Sequence, residues 1–316
     1  MKYSICDAHC DTIFEVFEQE KDLRKNTLHL DLESMKEYEK YVQVFAAFVD
    51  KTEINCSPLN HCLKLVQKYH QEVEKNLDIM SHCDTYSDIL KATNDHKIAS
   101  VLSIEGGEAL DGNISALWMF YKLGVRLITL TWNHANEIAD GITQSRGGGL
   151  TEFGREVVQK MNEFGMIVDV SHLSENGFWD VAEISKKSNK PFIASHSCAK
   201  AICPHPRNLS DEQIRAIIEC DGFIGINFYS EFLTTNKECG IANIIEHIQY
   251  MLTLDASRNI GFGSDFDGVD ILPHGMSGTK DMKSLVDMLI LTGMSEVTVN
   301  NICYNNFMRV LAEILL

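Results

Sequence analysis

The sequence is poor in the features that divide a chain into separate units. Only five of its 316 residues are proline, and no proline-rich linker or low-complexity tract interrupts it, so we expect a single domain over residues 1–316. No run approaches the roughly 20 apolar residues of a membrane-spanning helix. The first twelve residues, MKYSICDAHCDT, lack the apolar centre of a signal peptide. We therefore expect a cytoplasmic protein with no membrane partner.

Basic residues are also scarce. Lys and Arg number 28 against 45 Asp and Glu, which gives a formal charge of −17. Such a surface repels phosphate, and we expect no nucleic-acid partner. The ten cysteines are scattered through a long chain, and some of them, such as Cys6 and Cys303, lie inside apolar runs. This distribution indicates reduced thiols rather than a disulfide framework.

What the sequence does contain is a regular alternation of short β-branched runs with longer amphipathic segments. That alternation is typical of βα units and a parallel sheet. The runs cover residues 3–10, 41–49, 98–105, 125–132, 166–172, 191–196, 222–228 and 259–265. Eight is the number of strands that closes a (β/α)8 barrel, so the predicted fold class is α/β, a TIM barrel of the metal-dependent hydrolase type. An open, doubly wound sheet is the alternative.

The segments between the runs predict helices. They cover residues 59–76, 114–123, 151–164, 175–186, 211–219, 241–254 and 285–292. Thr151 and Ser210 stand at helix starts as capping residues. A further helix over residues 297–315 is expected to pack as a C-terminal helical addition, and the glycine-rich stretch 137–150 is expected to form a loop.

Chemistry in a (β/α)8 barrel collects where the strands end, and five of the runs end in an ionisable residue of metal-binding type. His9 and Asp11 are two positions apart, so on an extended strand both side chains point to the same face and can hold one ion. His172 and His196 come from consecutive strands and can hold a second ion as neutral imidazoles. Glu105, on a strand between these groups, can bridge two cations with its two oxygens.

These residues predict a two-metal site. Ligands of nitrogen and oxygen without thiolate suit zinc, while manganese and iron stay open as alternatives. The predicted cofactor is therefore two Zn²⁺ per chain. Asp265, at the end of the last run, brings the charge of the loaded site near neutrality. Without metal, the same carboxylates would be costly to keep ionised.

The chain resembles the membrane dipeptidase family, which comprises renal dipeptidase and its soluble prokaryotic relatives. The resemblance runs nearly end to end and is strongest in five segments. They are DAHCDT at 7–12, SIEGG at 103–107, GMIVDVSH at 165–172, ASHS at 194–197 with PRNL at 206–209, and GFGSDFDG at 261–268. The family consists of binuclear zinc peptidases on a (β/α) barrel, and its ligand pattern agrees with the assignment above.

The resemblance also implies two further roles and shows one departure. Asp265 resembles the family's acid/base carboxylate, and Arg207 resembles the residue that pairs with the free C-terminal carboxylate of the substrate. An Arg fork suits that task because bidentate pairing fixes a planar carboxylate. Mammalian members carry a substrate-contacting His directly after the Thr of the fourth strand, but here Thr131 is followed by Trp132. His134, two places further on, is the candidate replacement.

The sequence thus predicts a zinc-dependent dipeptidase in which a hydroxide shared by two metals attacks the scissile carbonyl. The family's tolerance of a C-terminal D-residue implies that such dipeptides are also substrates. An N-acyl amino acid amidohydrolase on the same site is one alternative, and a non-catalytic metal-binding protein is another. We expect a homodimer, the commonest arrangement for soluble enzymes of this kind.

Overall fold

The fold is built on parallel strands, as a computed structural model describing residues 3–50, 52 and 56–316 shows. The described residues form nine of them. They are β1 (Ser4–Asp7), β2 (Lys40–Phe48), β3 (Met80–His82), β4 (Ile98–Glu105), β5 (Val125–Thr129), β6 (Ile167–Asp169), β7 (Ile193–Ala194), β8 (Phe223–Ile226) and β9 (Ile260–Phe262). Apart from β3, they are nearly or fully buried runs in which β-branched residues are frequent, as expected of strands covered on both faces.

Eight of these strands close into a barrel. The order of pairing is β2-β1-β9-β8-β7-β6-β5-β4, and β2 pairs again with β4 to complete the ring. The predicted TIM barrel is confirmed, and the closure between β2 and β4 rules out the open doubly wound sheet. The ninth strand, β3, pairs with residues 98–100 of β4, ahead of the stretch of β4 that pairs with β5. Strand β3 was not predicted because Met80-Ser81-His82 is short and contains no β-branched residue.

Each of the eight predicted runs contains a strand, but most strands end before the run does. β1 ends at Asp7 rather than at residue 10, and β9 ends at Phe262 rather than at residue 265. The polar residues that follow leave the ladder and turn over the rim of the barrel. Thus the residues predicted to carry chemistry lie mostly in turns beyond the strands.

Thirteen helices surround the barrel within the described residues. They are α1 (Thr12–Glu18), α2 (Leu32–Met35), α3 (Pro58–Lys75), α4 (Tyr86–Asn94), α5 (Ile114–Lys122), α6 (Glu152–Phe164), α7 (Glu175–Ser188), α8 (Asp211–Glu219), α9 (Ser230–Leu233), α10 (Ile241–Thr253), α11 (Met282–Leu291), α12 (Glu296–Asn300) and α13 (Asn306–Ile314). The capping roles of Thr151 and Ser210 are confirmed, since each side chain accepts a backbone N–H at the start of α6 and α8. Four of the helices, α1, α2, α4 and α9, lie outside the predicted segments, and none is longer than nine residues.

The C-terminal region closes the end of the barrel opposite the strand ends just described. Residues 297–315, predicted as one helix, consist of α12, a π-helical turn over Asn301–Asn305, and α13. The apolar face of α13 joins a cluster with barrel-lining residues, and the rings of Phe307 and Phe223 stack at 4.6 Å. Asn306 Nδ2 donates to the carbonyl of Ile260 at 2.8 Å, which ties this helix to β9. This packing leaves the opposite rim free for a site.

None of the helices in the part of the chain that the structure describes has both the length and the apolarity needed to cross a bilayer.

Candidate active site

The carboxyl ends of five barrel strands bring the predicted metal ligands and Asp265 together. Glu105 is the last residue of β4, and the others lie two to four residues beyond the ends of their strands: His9 and Asp11 follow β1, His172 follows β6, His196 follows β7, and Asp265 follows β9. Every one of them is more than nine-tenths buried. Six ionisable side chains therefore share one desolvated pocket at the strand ends, where chemistry is expected in this fold.

The reason why His9 and Asp11 meet is different from the predicted one. The prediction assumed an extended strand, but β1 has already ended, and Asp11 is the residue that precedes α1, with φ of −103°. The turn into α1 brings His9 Nε2 to 3.3 Å from Asp11 Oδ2. The two side chains do converge, but through the start of a helix.

His172 and His196 present hydrogen-free nitrogens to each other. His172 Nδ1 donates to Asn133 Oδ1 at 2.8 Å, so the proton of this ring is on Nδ1. The two Nε2 atoms are 2.8 Å apart, and they lie 3.0 Å and 3.4 Å from Glu105 Oε1. In the neutral rings, two nitrogen lone pairs and a carboxylate oxygen thus converge.

The tautomer of His196 is fixed by a chain of two hydrogen bonds. Ser195 Oγ donates to Asp169 Oδ2 at 2.6 Å and therefore accepts from His196 Nδ1, which is 2.7 Å away. Asp169 is fully buried and also accepts from Thr129 Oγ1 at 2.6 Å. Histidines that ligate metals are commonly held in this way through the second ring nitrogen.

On the other side of the pocket, His9 faces three carboxylates. Its Nε2 is 3.3 Å from Asp11 Oδ2, 3.3 Å from Glu105 Oε2 and 3.8 Å from Asp265 Oδ1. The two oxygens of Glu105 thus face opposite sides, Oε1 towards His172 and His196 and Oε2 towards His9. Within the described residues, His9 Nδ1 and Asp11 Oδ1 are buried without a hydrogen-bond partner.

The electrostatics of the two sides differ. Burial lowers the pKa of His172 to about 4, with help from the charge of Arg207, and burial also lowers the pKa of His196. Burial acts on His9 in the same direction, but the charges of Glu105 and Asp11 outweigh it and raise the pKa of His9 well above its usual value. At neutral pH, His172 and His196 are therefore neutral and offer lone pairs.

The donor set fits divalent cations. Ligand-type atoms of His9, Glu105 and His196 lie within 4.8 Å of one another, and so do those of His9, Asp11 and Asp265. Two acceptor nitrogens at 2.8 Å, an orphaned carboxylate oxygen and a carboxylate facing both sides are costly in a buried pocket without positive charge. Nitrogen and oxygen ligands without thiolate are consistent with zinc and with other divalent metals.

Asp265 occupies a constrained position at the edge of the cluster. Its backbone is in the left-handed region, with φ of 61°, a strained conformation that a non-glycine residue holds only where its surroundings fix it. Asn227 Nδ2 donates to Asp265 Oδ2 at 2.8 Å. Burial raises the pKa of Asp265. At Gly268, a Cβ would collide with Asp11 Oδ2 and Asp265 Oδ1, so only glycine permits the chain to pass there.

Arg207 lies buried beside the cluster without a carboxylate of its own. It is 7% exposed, and one of its terminal nitrogens donates to the carbonyl of His196 at 3.2 Å. No carboxylate oxygen of the described residues lies within 4.0 Å of it, its Nε has no partner, and burial lowers its pKa. A buried guanidinium in this state favours an incoming anion.

A cleft of about 440 Å³ opens above the cluster. Asp11, Glu105, His172 and Asp265 lie at its base, and one wall is aromatic, with the rings of Phe14, Phe48 and Trp132 in successive edge contacts of 5.4 Å. Asn133, Tyr229 and Phe232 complete the lining near the base, and Glu15, Asp267 and Asp270 add negative charge. A small ligand thus meets an apolar wall and a polar base.

His134 is not among the residues that line this cleft. Its ring lies 5.7 Å from that of Trp132 in an edge contact. Trp132 and Asn133, the two residues immediately before it, line the cleft instead. The role of His134 as a substrate contact stays a prediction.

Four polar residues that position the cluster were missed by the sequence analysis: Asp7, Asn133, Asp169 and Asn227. Asp7 and Asp169 each end a strand, and each accepts the backbone N–H two residues later. Each also accepts both the N–H and the Oγ–H of a serine just beyond the end of the neighbouring barrel strand, Ser264 for Asp7 and Ser195 for Asp169. The detectable signal was an Asp at a strand end followed within three residues by a ligand histidine.

The chain is similar in sequence and fold to known peptidases. Residues 1–315 match the sequence model of the family described as membrane dipeptidase, peptidase family M19. The dipeptidase aclJ of Aspergillus oryzae is 36% identical over 222 residues, which are 69% of this chain but only 52% of that protein, so the match spans about half of its length.

Two solved structures share the fold over the whole chain. A metallopeptidase of family M19 described as dipeptidase AC has a TM-score of 0.91 and 25% identity, with 100% of this chain and 99% of that chain covered. A metallopeptidase from Rhodobacter sphaeroides, bound to a phosphinate mimic of the dipeptide L-Ala-D-Ala, has the same TM-score and 24% identity, with 99% and 100% covered. The chain therefore belongs to the membrane dipeptidase family, peptidase family M19.

Proposed function

We propose that this chain is a metal-dependent dipeptidase that holds two zinc ions at the pocket described above. The observation that carries the proposal is the position of Glu105, whose two oxygens face two separate sets of ligand atoms. His9 and Asp11 would hold one ion, His172 and His196 the other, and Glu105 would bridge them. The chain's membership of the membrane dipeptidase family supports the hydrolysis of dipeptides as the reaction.

The residues around the ions would divide the work of hydrolysis. Divalent cations at such a site lower the pKa of water towards about 7 and polarise a carbonyl oxygen. Asp265 would take a proton from the attacking water and deliver it to the leaving nitrogen, as the carbon–oxygen bond forms and the carbon–nitrogen bond breaks.

Arg207 would set the length of the substrate. Arg207 does not line the cleft itself, but it lines a small adjoining space that His172 also borders. Its guanidinium is buried and no carboxylate of the described residues pairs with it, so a carboxylate bound there would mark the end of the peptide. A bidentate pair with the C-terminal carboxylate would fix the scissile bond over the cluster. Dipeptides, including those with a C-terminal D-residue, are therefore the proposed substrates.

The first experiment combines metal analysis with substrate cleavage. The metal content of the purified protein is measured by mass spectrometry, and a panel of L,L and L,D dipeptides is tested before and after chelation. We expect about two metals per chain and cleavage that chelation abolishes. Two metals with cleavage of N-acyl amino acids alone would favour the amidohydrolase, two metals with no hydrolysis would favour a binding protein, and no metal would refute the site.

Two variants separate the proposed roles. Asp265→Asn should keep the metal and lose most turnover, because the amide cannot carry the proton. Arg207→Ala should chiefly raise KM, because the carboxylate loses its partner. Asp255→Asn is a matched control, since Asp255 also has a left-handed backbone, with φ of 67°, but does not line the cleft. Metal loss in Asp265→Asn, or unchanged kinetics in Arg207→Ala, would contradict the assignments.

We also propose that residues 1–316 act as one cytoplasmic barrel domain that forms a homodimer. Large apolar side chains are exposed at the end of α11 and in α12, with Leu291 at 84% and Val297 at 70% exposure, and a contact between protomers would cover them. Sedimentation measures the mass in solution, limited proteolysis tests the domain, and cell fractionation tests the location. A monomer, separable fragments or a membrane fraction would contradict the respective part.

A further inference from the structure

The position that carries a substrate-contacting His in mammalian members of the family holds Trp132 here, which leaves open which side chain contacts the carbonyl oxygen of the scissile bond. That oxygen gains negative charge when water adds to the carbonyl carbon, and a donor placed at that point accelerates the reaction. His134 does not line the cleft. The donor should therefore be sought among the polar side chains that do.

Asn133 is the side chain best placed for this task. It lines the cleft with Glu105, His172 and Asp265. Its Oδ1 accepts from His172 Nδ1 at 2.8 Å, and this hydrogen bond fixes which end of the amide is the donor. Its Nδ2 makes no hydrogen bond to the residues that the structure describes, and it is not buried. A donor with no partner in the protein thus remains at the cleft.

The backbone that carries Asn133 is held firmly. Its carbonyl accepts from Thr143 N at 3.1 Å and also from Thr143 Oγ1. A Cβ at Gly141 would collide with the carbonyl group of Asn133, so the two sides of this loop are in close contact. A donor held in this way pays little to reorient when charge develops, which is the condition under which a single hydrogen bond matters most.

Three neighbouring side chains have contacts of their own. Trp132 packs between the rings of Phe48 and His134 as part of the aromatic wall. Burial raises the pKa of Tyr229, and the neighbouring carboxylate of Glu231 acts in the same direction. Asn227 uses its Nδ2 on Asp265 and its Oδ1 on the backbone N–H of Tyr229. Asn133 combines a fixed orientation with an unused donor.

We propose that Asn133 Nδ2 donates a hydrogen bond to the carbonyl oxygen of the scissile peptide bond and stabilises the charge that forms there. The inference rests on the proposed dipeptidase function. The hydrogen bond moves no proton. The attacking water supplies the second oxygen of the new carboxylate, and its two protons end on the leaving nitrogen. The electron pair held on the carbonyl oxygen re-forms the carbon–oxygen double bond as the carbon–nitrogen bond breaks. The amide is neutral, so it adds no charge to the cluster of carboxylates and histidines.

Two substitutions at this position separate the donor from the support it gives to His172. Asn133→Asp keeps an acceptor for His172 Nδ1 but has no donor. Asn133→Ala loses both. We expect kcat to fall by about 100-fold to 1,000-fold in both variants, with KM for a dipeptide within about threefold of the unmodified value in Asn133→Asp. Metal affinity, measured by competition with a chelator, should fall only in Asn133→Ala.

A phosphinate mimic of L-Ala-D-Ala provides a readout without turnover, because its tetrahedral phosphorus resembles the attacked carbon. Its affinity should fall in Asn133→Asp by about the same factor as kcat/KM. Gln144→Glu is the control for the added charge, since Gln144 lies on the same loop and does not line the cleft. It should change neither quantity by more than about twofold.

The outcomes are distinct. Asn133→Asp with kcat and phosphinate affinity within threefold of the unmodified protein would show that Asn133 only orients His172 and would overturn the inference. A loss in His134→Ala as large as that in Asn133→Asp would transfer the role to His134 and also overturn it. An unmodified protein that cleaves no dipeptide would refute the proposed function, while the phosphinate measurement would still decide the role of Asn133.

Discussion

Asp7 and Asp169 join neighbouring strand ends through the same two hydrogen bonds to a serine. Only the serine of the Asp169 pair also contacts the ring of a ligand histidine. On one side, Asp7 accepts the N–H and the hydroxyl of Ser264, at 2.9 Å and 2.5 Å. On the other, Asp169 accepts the same two groups of Ser195, at 2.8 Å and 2.6 Å. Both aspartates are fully buried, so each pair is a fixed crosslink at the rim of the barrel.

The difference lies in what each serine does next. Ser195 also accepts from the ring of His196, whereas Ser264 is 3.4 Å from the backbone carbonyl of His9 and does not reach its ring. Among the described residues, His9 Nδ1 has no partner. One pair thus fixes the backbone and a ligand ring, and the other fixes the backbone alone. The pair of Asp and Ser therefore has a structural role on both sides, and only the contact of Ser195 with the His196 ring also orients a metal-ligand candidate.

The largest expected effect is on stability. Asp169→Asn should lower the free energy of unfolding by about 3 kcal/mol, because an amide nitrogen would face the hydroxyls of Thr129 and Ser195, and one hydrogen of this buried network would be left unpaired. Asp7→Asn should cost about 1 kcal/mol, since burial already raises the pKa of Asp7 to about 6 and its hydroxyl partner can rotate.

Urea unfolding of the metal-free protein at pH 7 measures both values. Asp255→Asn serves as the control and should lie within about 0.5 kcal/mol of the unmodified protein. A larger loss of unfolding free energy in Asp7→Asn than in Asp169→Asn would contradict the predicted order of the two variants.

The second prediction concerns acid and the opposite pKa shifts of His172 and His9. In the folded, metal-free protein the pKa of His172 is about 4, below the unfolded value near 6.5. Its contribution to stability is therefore intact above pH 6.5 and is lost as the pH falls towards 4, by about 3 kcal/mol in total. The pKa of His9 is raised, so its contribution is intact below pH 6.5 and is lost as the pH rises.

Unfolding free energies of His172→Gln and His9→Gln, each measured against the unmodified protein from pH 4 to pH 8, test this prediction. The difference for His172→Gln should change between pH 4 and 6.5, and that for His9→Gln only above pH 6.5. Parallel curves for the two variants would refute it.

The sequence was sufficient for the barrel because its signal is distributed over many residues. All eight predicted runs contain barrel strands, since a buried parallel strand needs an uninterrupted apolar run and such runs are visible in one dimension. Short elements were missed, among them β3 and α1. A three-residue strand or a seven-residue helix carries too few residues for periodicity to show, and tertiary contacts decide its conformation.

The sequence predicted which residues form the candidate site, but not how the fold brings them together and orients them. The sequence predicted His9 and Asp11 as a pair, but the turn into α1 brings them together rather than an extended strand. The partners of the second ring nitrogens, Asn133 and Ser195, could not be identified, because an Asn or a Ser near a strand end is common and its meaning depends on where a histidine from another strand points. Ligands are visible as residue types, whereas the groups that orient them are defined by geometry.

The smallest expected effect isolates the contact with the ring. Ser195→Ala and Ser264→Ala remove equivalent hydroxyls from the two pairs, but only the first leaves a ligand nitrogen without its acceptor. We expect metal affinity to fall by about 10-fold to 100-fold in Ser195→Ala, as for other groups that orient a ligand histidine, and by less than about threefold in Ser264→Ala. Chelator competition gives the affinities, and thermal unfolding of the metal-free proteins checks that both variants fold. Equal losses of affinity would mean that the two serines act on the metals only through the backbone.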